Sequence, residues 1–238
     1  MTSSHSPRLL SLWPSHVLID QLDELEDVRE SLAQQAERFY ERHTQKAARL
    51  SHRADTVSMM REQPSPELLR LLVCIEGRVA SYVRQAYPSL EPSYLAMTYN
   101  TFVNRQRGLG KWAIPHRHVG NQLVATYYPR VHLGPTEGRN EVGMPGALCF
   151  HDPRPVQANW MLRHENKLFA QTPLPGALFI FPGYLEHSTF PLFDPASDKV
   201  AIVTNVRFTH RDDPGGDQTW SAEQIRAHTS FHPMESNQ

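Results

Sequence analysis

The chain is poor in cysteine. Cys74 and Cys149 are the only two in 238 residues, too few for a disulfide framework, and a reduced, cytoplasmic setting is expected. It has no excess of either charge. A formal net charge of −1 excludes a nucleic-acid protein held by bulk electrostatics. It also has no long apolar run: nothing approaches the ~18–20 residues that span a bilayer, so no membrane partner is expected. The short stretch Leu9-Leu10-Ser11-Leu12-Trp13 runs into Pro14 and lacks the basic-then-apolar layout of a secretory leader. There is no internal repeat. What the chain does have is a globular balance of 39% hydrophobic and 21% charged residues, thirteen histidines, and glycine and proline punctuating its second half.

The first part reads helical. Leu18, Leu22, Leu25, Val28, Leu32, Ala36 and Phe39 recur at steps of three and four, with Asp23, Glu24, Asp27, Glu30 and Glu37 opposite them. Residues 44–63 are polar and read as irregular or weakly helical. Ser65-Pro66 then offers an N-cap and a first-turn proline. They lead a second helix with Leu68, Leu72, Ile75, Val79 and Tyr82 on one face, ended by Pro88 and Pro92.

From Ser93 the period changes to two. Tyr94, Ala96, Thr98 and Asn100 alternate with Leu95, Met97, Tyr99 and Thr101, and further strands are expected over 114–118, 123–128, 147–150, 167–171, 177–181 and 200–209. Helices followed by many short strands predict a mainly β protein with N-terminal helices, a barrel or sandwich buttressed on one side. The expected organisation is one domain: a helical part over 1–92, a β core over 93–210 and a tail over 211–238, with a short helix at 221–227. The helical part is equally suited to be a homodimer surface.

His116-Arg117-His118 puts two imidazoles on the same face of a strand, with Arg117 outward. His187 follows 69 residues after His118, at the exit of the apolar run Ala177-Leu-Phe-Ile-Phe181. That run is expected to be buried on both faces. Two ligands one residue apart and a third from a distant strand make a metal site within a β-barrel, and neutral imidazoles suit Fe, Zn, Cu and Ni. His132, His151 and His164 have no partner at ligand spacing and read as ordinary polar residues.

Gly176-Ala-Leu-Phe-Ile-Phe-Pro182 followed by His187 resembles the "pG-x-l-x-iFPs-x-l-x-H" signature of the iron- and 2-oxoglutarate-dependent oxygenases that carry an H-x-H motif. The family's other segments appear in order. They are His116-Arg-His118, Val124-Ala-Thr-Tyr127-Tyr128, Phe150-His-Asp152-Pro153-Arg154 and Lys199-Val-Ala-Ile-Val-Thr204-Asn205. The resemblance covers roughly residues 94–208, with a faint echo at Leu12-Trp13-Pro14-Ser15. It implies a double-stranded β-helix (a cupin-like jelly roll), Fe(II) at His116, His118 and His187, and 2-oxoglutarate as cosubstrate. O₂ and a small polar metabolite, such as an amino acid or a secondary-metabolite intermediate, would be the other partners, and hydroxylation of a C–H bond the default outcome.

The resemblance also implies a basic residue ten to twelve positions beyond the distal histidine to hold the distal carboxylate of 2-oxoglutarate. Lys199 stands twelve beyond His187, where arginine is commoner. Strand alternation puts Lys199, Ala201, Val203, Asn205 and Arg207 on one face, so Arg207 is the alternative anchor and Asn205 a further cosubstrate contact. Tyr128 would add a hydroxyl, and Arg154 either faces substrate or caps a strand. The loop 129–146 is either a lid or a solvated insert.

His118 stands where H-x-D/E members carry a carboxylate. Three arrangements are open: three histidines as ligands, the favoured one; His118 behind the metal; or a remote acid, Asp152 or Glu186, completing the set. Two other function classes also remain open: a three-His cupin metalloenzyme (dioxygenase, hydrolase or isomerase) without 2-oxoglutarate, and a non-catalytic jelly-roll metabolite-binding protein.

Overall fold

A computed structural model describes residues 14–50, 57–89, 95–134, 144–153, 168–210 and 220–221. Two helices, α1 (Glu26–Leu50) and α2 (Pro66–Ala86), precede a β core made of β2 (Leu95–Arg107), β3 (Leu123–His132), β4 (Leu148–His151), β5 (Leu168–Gln171), β6 (Ala177–Pro182), β7 (His187–Thr189) and β8 (Asp198–His210). Two short strands, β1 (Leu18–Gln21) and β9 (Trp220–Ser221), extend the sheet edges. Every pairing is antiparallel. A larger sheet runs β1-β6-β3-β8-β2-β9 and a smaller one runs β5-β4-β7. The smaller sheet is extended past β7 by a bridge between His116 and His187. The chain passes back and forth between the two sheets, which makes this a double-stranded β-helix, mainly β with helices at its N-terminal side. No described helix is long and apolar enough to cross a membrane.

The larger sheet is buried on both faces, and strand alternation sorts its side chains. Tyr99, Val103, Leu123, Ala125, Tyr127, Leu178, Ile180, Val200, Ile202 and Val206 face the helices. There they join Leu25, Leu32, Ala36, Phe39, Leu72, Ile75 and Val79 in one apolar core. Val124, Tyr128, Ala177, Phe179, Phe181, Ala201 and Val203 face the smaller sheet and meet Leu148 and Phe150 in a second. All six residues of β6 are buried, because it is covered by both layers. Ser65 caps α2 by accepting from Leu68 N at 3.1 Å, with Pro66 in the first turn.

Two expectations are corrected. The helical spacing from Leu18 does not begin a helix: Leu18–Gln21 pairs with β6, and the helix starts at Glu26 after a 3-10 turn at Asp23–Leu25. The open edge of β6 needs a hydrogen-bonding partner, and that outweighs the weak local preference of four residues. α1 continues to Leu50, so the start of the polar 44–63 stretch is helical, one of the two readings expected of it. The segment 114–118 is not a regular strand. It meets β7 at the His116–His187 bridge, and the register slips beside it, where Thr189 N donates to Ala113 O at 3.0 Å rather than to Ile114 O. Arg154, His164, residues 135–143 of the 129–146 loop and the 221–227 helix lie outside the described residues, apart from Ser221 at the end of β9.

An ion-pair cluster clamps α1 to the sheet. Arg105, its side chain 6% exposed, contacts Glu37 and Glu41 of α1 and Asp198 of β8, the last two at 2.9 and 3.1 Å. Arg130 joins Glu30 at 2.6 Å and Glu37 at 3.0 Å. Removing the guanidinium of Arg105 empties a buried site and leaves Glu37 and Asp198 to share Arg130. Arg105→Ala is expected to lower the unfolding free energy by about 3 kcal/mol, whereas Arg42→Ala, at an exposed pair with Glu62, changes it by under about 1 kcal/mol. Urea titration monitored by circular dichroism measures both.

Candidate metal centre

The backbone at His116 and His187 brings the histidines together. His116 N donates to His187 O at 2.9 Å and His187 N donates to His116 O at 3.0 Å. His118 is held from a second direction, its N–H donating to Gly183 O at 2.9 Å. Ring centroids lie 4.3 Å apart for His116 and His187, 5.1 Å for His118 and His187, and 5.3 Å for His116 and His118. One nitrogen from each of the three lies within 4.8 Å of the others. Phe181 packs edge-on to the His187 ring at 4.7 Å and Phe102 stacks on that of His118 at 5.9 Å.

The second nitrogen of each ring is already spoken for. His116 Nδ1 donates to Ile114 O at 2.7 Å, and His187 Nδ1 donates to Leu185 O at 2.9 Å. His118 Nδ1 donates to Asn205 Oδ1 at 2.5 Å. Carbonyl acceptors fix the Nδ1–H tautomer in all three, which leaves every Nε2 with its lone pair directed elsewhere. Burial also keeps the inner rings neutral: it pulls His118 down to about 4 and His187 to about 3, with His116 nearby adding to both effects. Three neutral imidazoles, each oriented by a carbonyl behind it, form a donor set that fits a divalent first-row metal ion.

The cluster opens on a cavity of about 730 Å³ between the two sheets. Its floor is the inner row of β2 and β8, paired as Asn100 with Asn205, Phe102 with Val203, Asn104 with Ala201 and Gln106 with Lys199. Lys199 is 2% exposed. Its ammonium donates to Gly146 O at 2.5 Å and lies 5.7 Å from the Tyr128 ring centroid. No described carboxylate pairs with it; Asp198, beside it in sequence, turns to Arg105 and Arg130 on the other face. Burial pulls Lys199 down to about 7, and it pushes the Tyr128 hydroxyl well above its ordinary range.

A bulge between Tyr127 and Arg130 sets Tyr128 in this wall. Pro129 can give no ladder hydrogen bond there, and Tyr128 O accepts from Gly176 N at 2.7 Å instead.

Of the residues singled out in the sequence, His116, His118, His187, Lys199, Tyr128 and Asn205 line one cavity. Asn205 reaches His118 rather than the lysine end. Arg207 does not line the cavity. It is exposed, its guanidinium near Gly120 at the far end of β8. Glu186 turns away to Arg117 at 3.3 Å. Among the described lining residues none is acidic. His151 donates or accepts at Ser188 Oγ, 2.9 Å away, outside the cluster. Sequence reasoning missed Asn104, Gln106 and Thr189; carrying the alternation read over 94–101 on to 107 would have put Asn104 and Gln106 on the Asn100 face.

No protein-family model matches the chain, and no curated protein matches it in sequence. Among solved structures it is similar to a prolyl-4-hydroxylase of Pseudomonas putida, at 12% identity over 81% of this chain and 88% of that one, with a TM-score of 0.49. A prolyl hydroxylase of Trichoplax adhaerens, in complex with a hypoxia inducible factor oxygen degradation domain peptide fragment, is similar at 13% identity, 81% and 94% coverage and a TM-score of 0.44. An oxidoreductase of the 2OG-Fe(II) oxygenase family from Burkholderia pseudomallei is similar at 12% identity, with a TM-score of 0.31; the match covers 46% of this chain and 45% of that one.

Gly183 is the tightest point behind the cluster. A Cβ there would meet Asn121 O at 2.1 Å and His118 O at 3.0 Å. Gly183→Ala must push the 118–121 turn away and take His118 with it. It is expected to weaken uptake of a divalent ion such as Co(II) by about 10- to 100-fold while the far-ultraviolet circular dichroism stays unchanged. His187→Ala is expected to abolish uptake. Equilibrium dialysis with metal analysis reads both.

Proposed function

We propose that the protein is an Fe(II)- and 2-oxoglutarate-dependent oxygenase that oxidises a C–H bond of a small molecule, by hydroxylation in the simplest case. One observation carries this reading. A buried lysine with no described acid to pair it faces the same cavity as three imidazoles whose Nδ1 atoms are all engaged. A buried cation needs an anionic partner, and a ligand carboxylate supplies one. A 2-oxo dicarboxylate has a chelating end for the histidine cluster and a second carboxylate for Lys199.

Iron bound with a 2-oxo acid supplies oxidative decarboxylation coupled to O₂: 2-oxoglutarate, O₂ and R–H become succinate, CO₂ and R–OH. The chain's own residues do the rest. His116, His118 and His187 hold the ion on neutral nitrogens, kept in one tautomer by Ile114 O, Asn205 Oδ1 and Leu185 O. Lys199 orients the cosubstrate from its distal end, with Tyr128 beside it. Phe102, Phe181 and Phe150 exclude water from the inner side of the cluster.

The all-histidine set favours a second reading, a three-His metalloenzyme without 2-oxoglutarate. The two readings differ in whether Lys199 binds a dicarboxylate. Anaerobic titration of the Fe(II)-loaded protein with 2-oxoglutarate is expected to raise a visible metal-to-ligand charge-transfer band, and turnover is expected to release succinate. A metal-loaded protein that shows neither leaves only the second reading. Lys199→Met is expected to weaken 2-oxoglutarate binding by about 100-fold, and Arg207→Met to leave it unchanged.

Lys199 also gives binding a pH signature. Its free-state value of about 7 lies below its ordinary 10.5, and the groups facing it, Tyr128 and Cys149, are neutral at pH 8. A bound carboxylate restores the charge. Binding at pH 8 is therefore expected to take up close to one proton, and at pH 6 almost none, as read by calorimetry in buffers of different ionisation heat. In the ligand-free protein the sign is the reverse of a gained partner. The buried amine lowers stability most below pH 7, by a few kcal/mol at ~1.4 kcal/mol per pH unit, and the cost fades as pH rises towards 10.5. Lys199→Met is thus expected to raise the melting temperature at pH 6 and to raise it less at pH 9.

A further inference from the structure

Gln106 is a buried carboxamide, 4% exposed, directly across the β2–β8 ladder from Lys199 and on the same face of the sheet. Both line the cavity. One end of the amide meets Thr189 Oγ1 at 2.9 Å. The other end is buried and has no hydrogen-bond partner. Buried polar atoms are rarely left so, and an orphan beside a ligand cavity points to the ligand.

Thr189 decides which end of the amide is free. Its Oγ1 already accepts from Ala113 N at 2.8 Å, and a hydroxyl has a single proton to give. If Gln106 Nε2 also donates to Oγ1, that proton is not used on the amide and Oε1 is stranded. Turning the amide over keeps the shape and the distance. The Thr189 hydroxyl then donates to Oε1, and Nε2 with its N–H groups becomes the free end. The lysine end of the cavity then presents an ammonium and an amide N–H, with no acidic residue among the described lining.

We infer that Gln106, oriented by Thr189, donates Nε2–H to the same ligand carboxylate as Lys199, and so is a binding residue that selects a 2-oxo acid with a distal carboxylate. This rests on the cosubstrate reading above and names a contact that reading does not need. Two donors on one carboxylate fix its plane, which a lone lysine, a point charge on a flexible stem, does not. A distal carboxamide has one acceptor oxygen where the carboxylate has two, and no charge to meet Lys199.

The test uses the Zn(II)-loaded full chain and calorimetric titration with 2-oxoglutarate, its distal-amide analogue 2-oxoglutaramate, and pyruvate, which has no distal group. The wild-type protein is expected to bind 2-oxoglutarate at least 100-fold more tightly than either. Gln106→Leu is expected to lose about 10-fold on 2-oxoglutarate and nothing on pyruvate. Gln106→Glu, of the same shape, is expected to lose about 100-fold, because its carboxylate occupies Lys199.

If Gln106→Leu binds 2-oxoglutarate as the wild type does while Lys199→Met does not, the role of Gln106 is overturned and the cosubstrate reading stands. If the wild type binds 2-oxoglutarate no better than pyruvate, the cosubstrate reading fails and this inference with it. Should the leucine variant not fold, the ¹⁵N side-chain amide resonance of Gln106, assigned by its loss in Gln106→Glu, decides. It is expected to shift with 2-oxoglutarate and stay with pyruvate, and a resonance that ignores both overturns the proposal.

Discussion

From Met97 paired with Phe208 to Arg107 paired with Asp198, the β2–β8 ladder runs without a register shift. Its strands must bury both faces, because helices cover one side and the smaller sheet the other. Period-two alternation then leaves no freedom. Tyr99, Val103, Val200, Ile202 and Val206 fill the helical core, and Asn100, Asn104, Gln106, Lys199 and Asn205 form the cavity floor. A slip of one residue would move the lysine and the amides into the apolar core and the apolar row onto the floor. The cavity and the helix packing are thus two sides of one register.

The same ladder explains how a cation comes to be buried without an acid. Asp198 and Lys199 are neighbours in the chain and so point to opposite faces. Asp198 goes to the Arg105 and Arg130 cluster that holds α1, and Lys199 to the cavity. The ion pairs that clamp the helix therefore consume the carboxylate that would otherwise neutralise the lysine locally. At the other end, Asn205 spends its side chain on His118, so one strand orients a ring of the histidine cluster and sets its distance from the lysine end of the cavity.

Much of this was legible in the chain. The apolar run over 177–181 and the Gly176 and Pro182 that bound it reflect short-range rules of strand periodicity and turn chemistry. So does the helix capped at Ser65. Other features were not legible because local signals were ambiguous or silent. The spacing of Leu18, Leu22 and Leu25 fits a helix as well as it fits a short strand followed by a turn, and only the vacant edge of β6 chose between them. Gln106 carries no local signature; its meaning comes from Lys199 across the ladder and from Thr189 on the other sheet. Glycine at 183 matters because Asn121 O approaches from another segment, not because of its own turn.

By itself, then, the sequence determined the capped helix α2, the two-faced pattern of the main strands and the set of residues able to share one face, because these depend on neighbours within a few positions. Tertiary structure alone buried Lys199 in the cavity wall and left Arg207 outside it. Alternation puts both on the same face, but Lys199 falls under the Gly146 turn and Tyr128, while Arg207 lies at the exposed end of the strand. Burial is a property of what lies above a residue, and the segments that cover Lys199 come from dozens of positions away. The same reason gives the three imidazoles a single tautomer: the carbonyls behind them are placed by the fold of the 113–118 and 183–187 segments and by β8, and no spacing of histidines in the chain could have specified them.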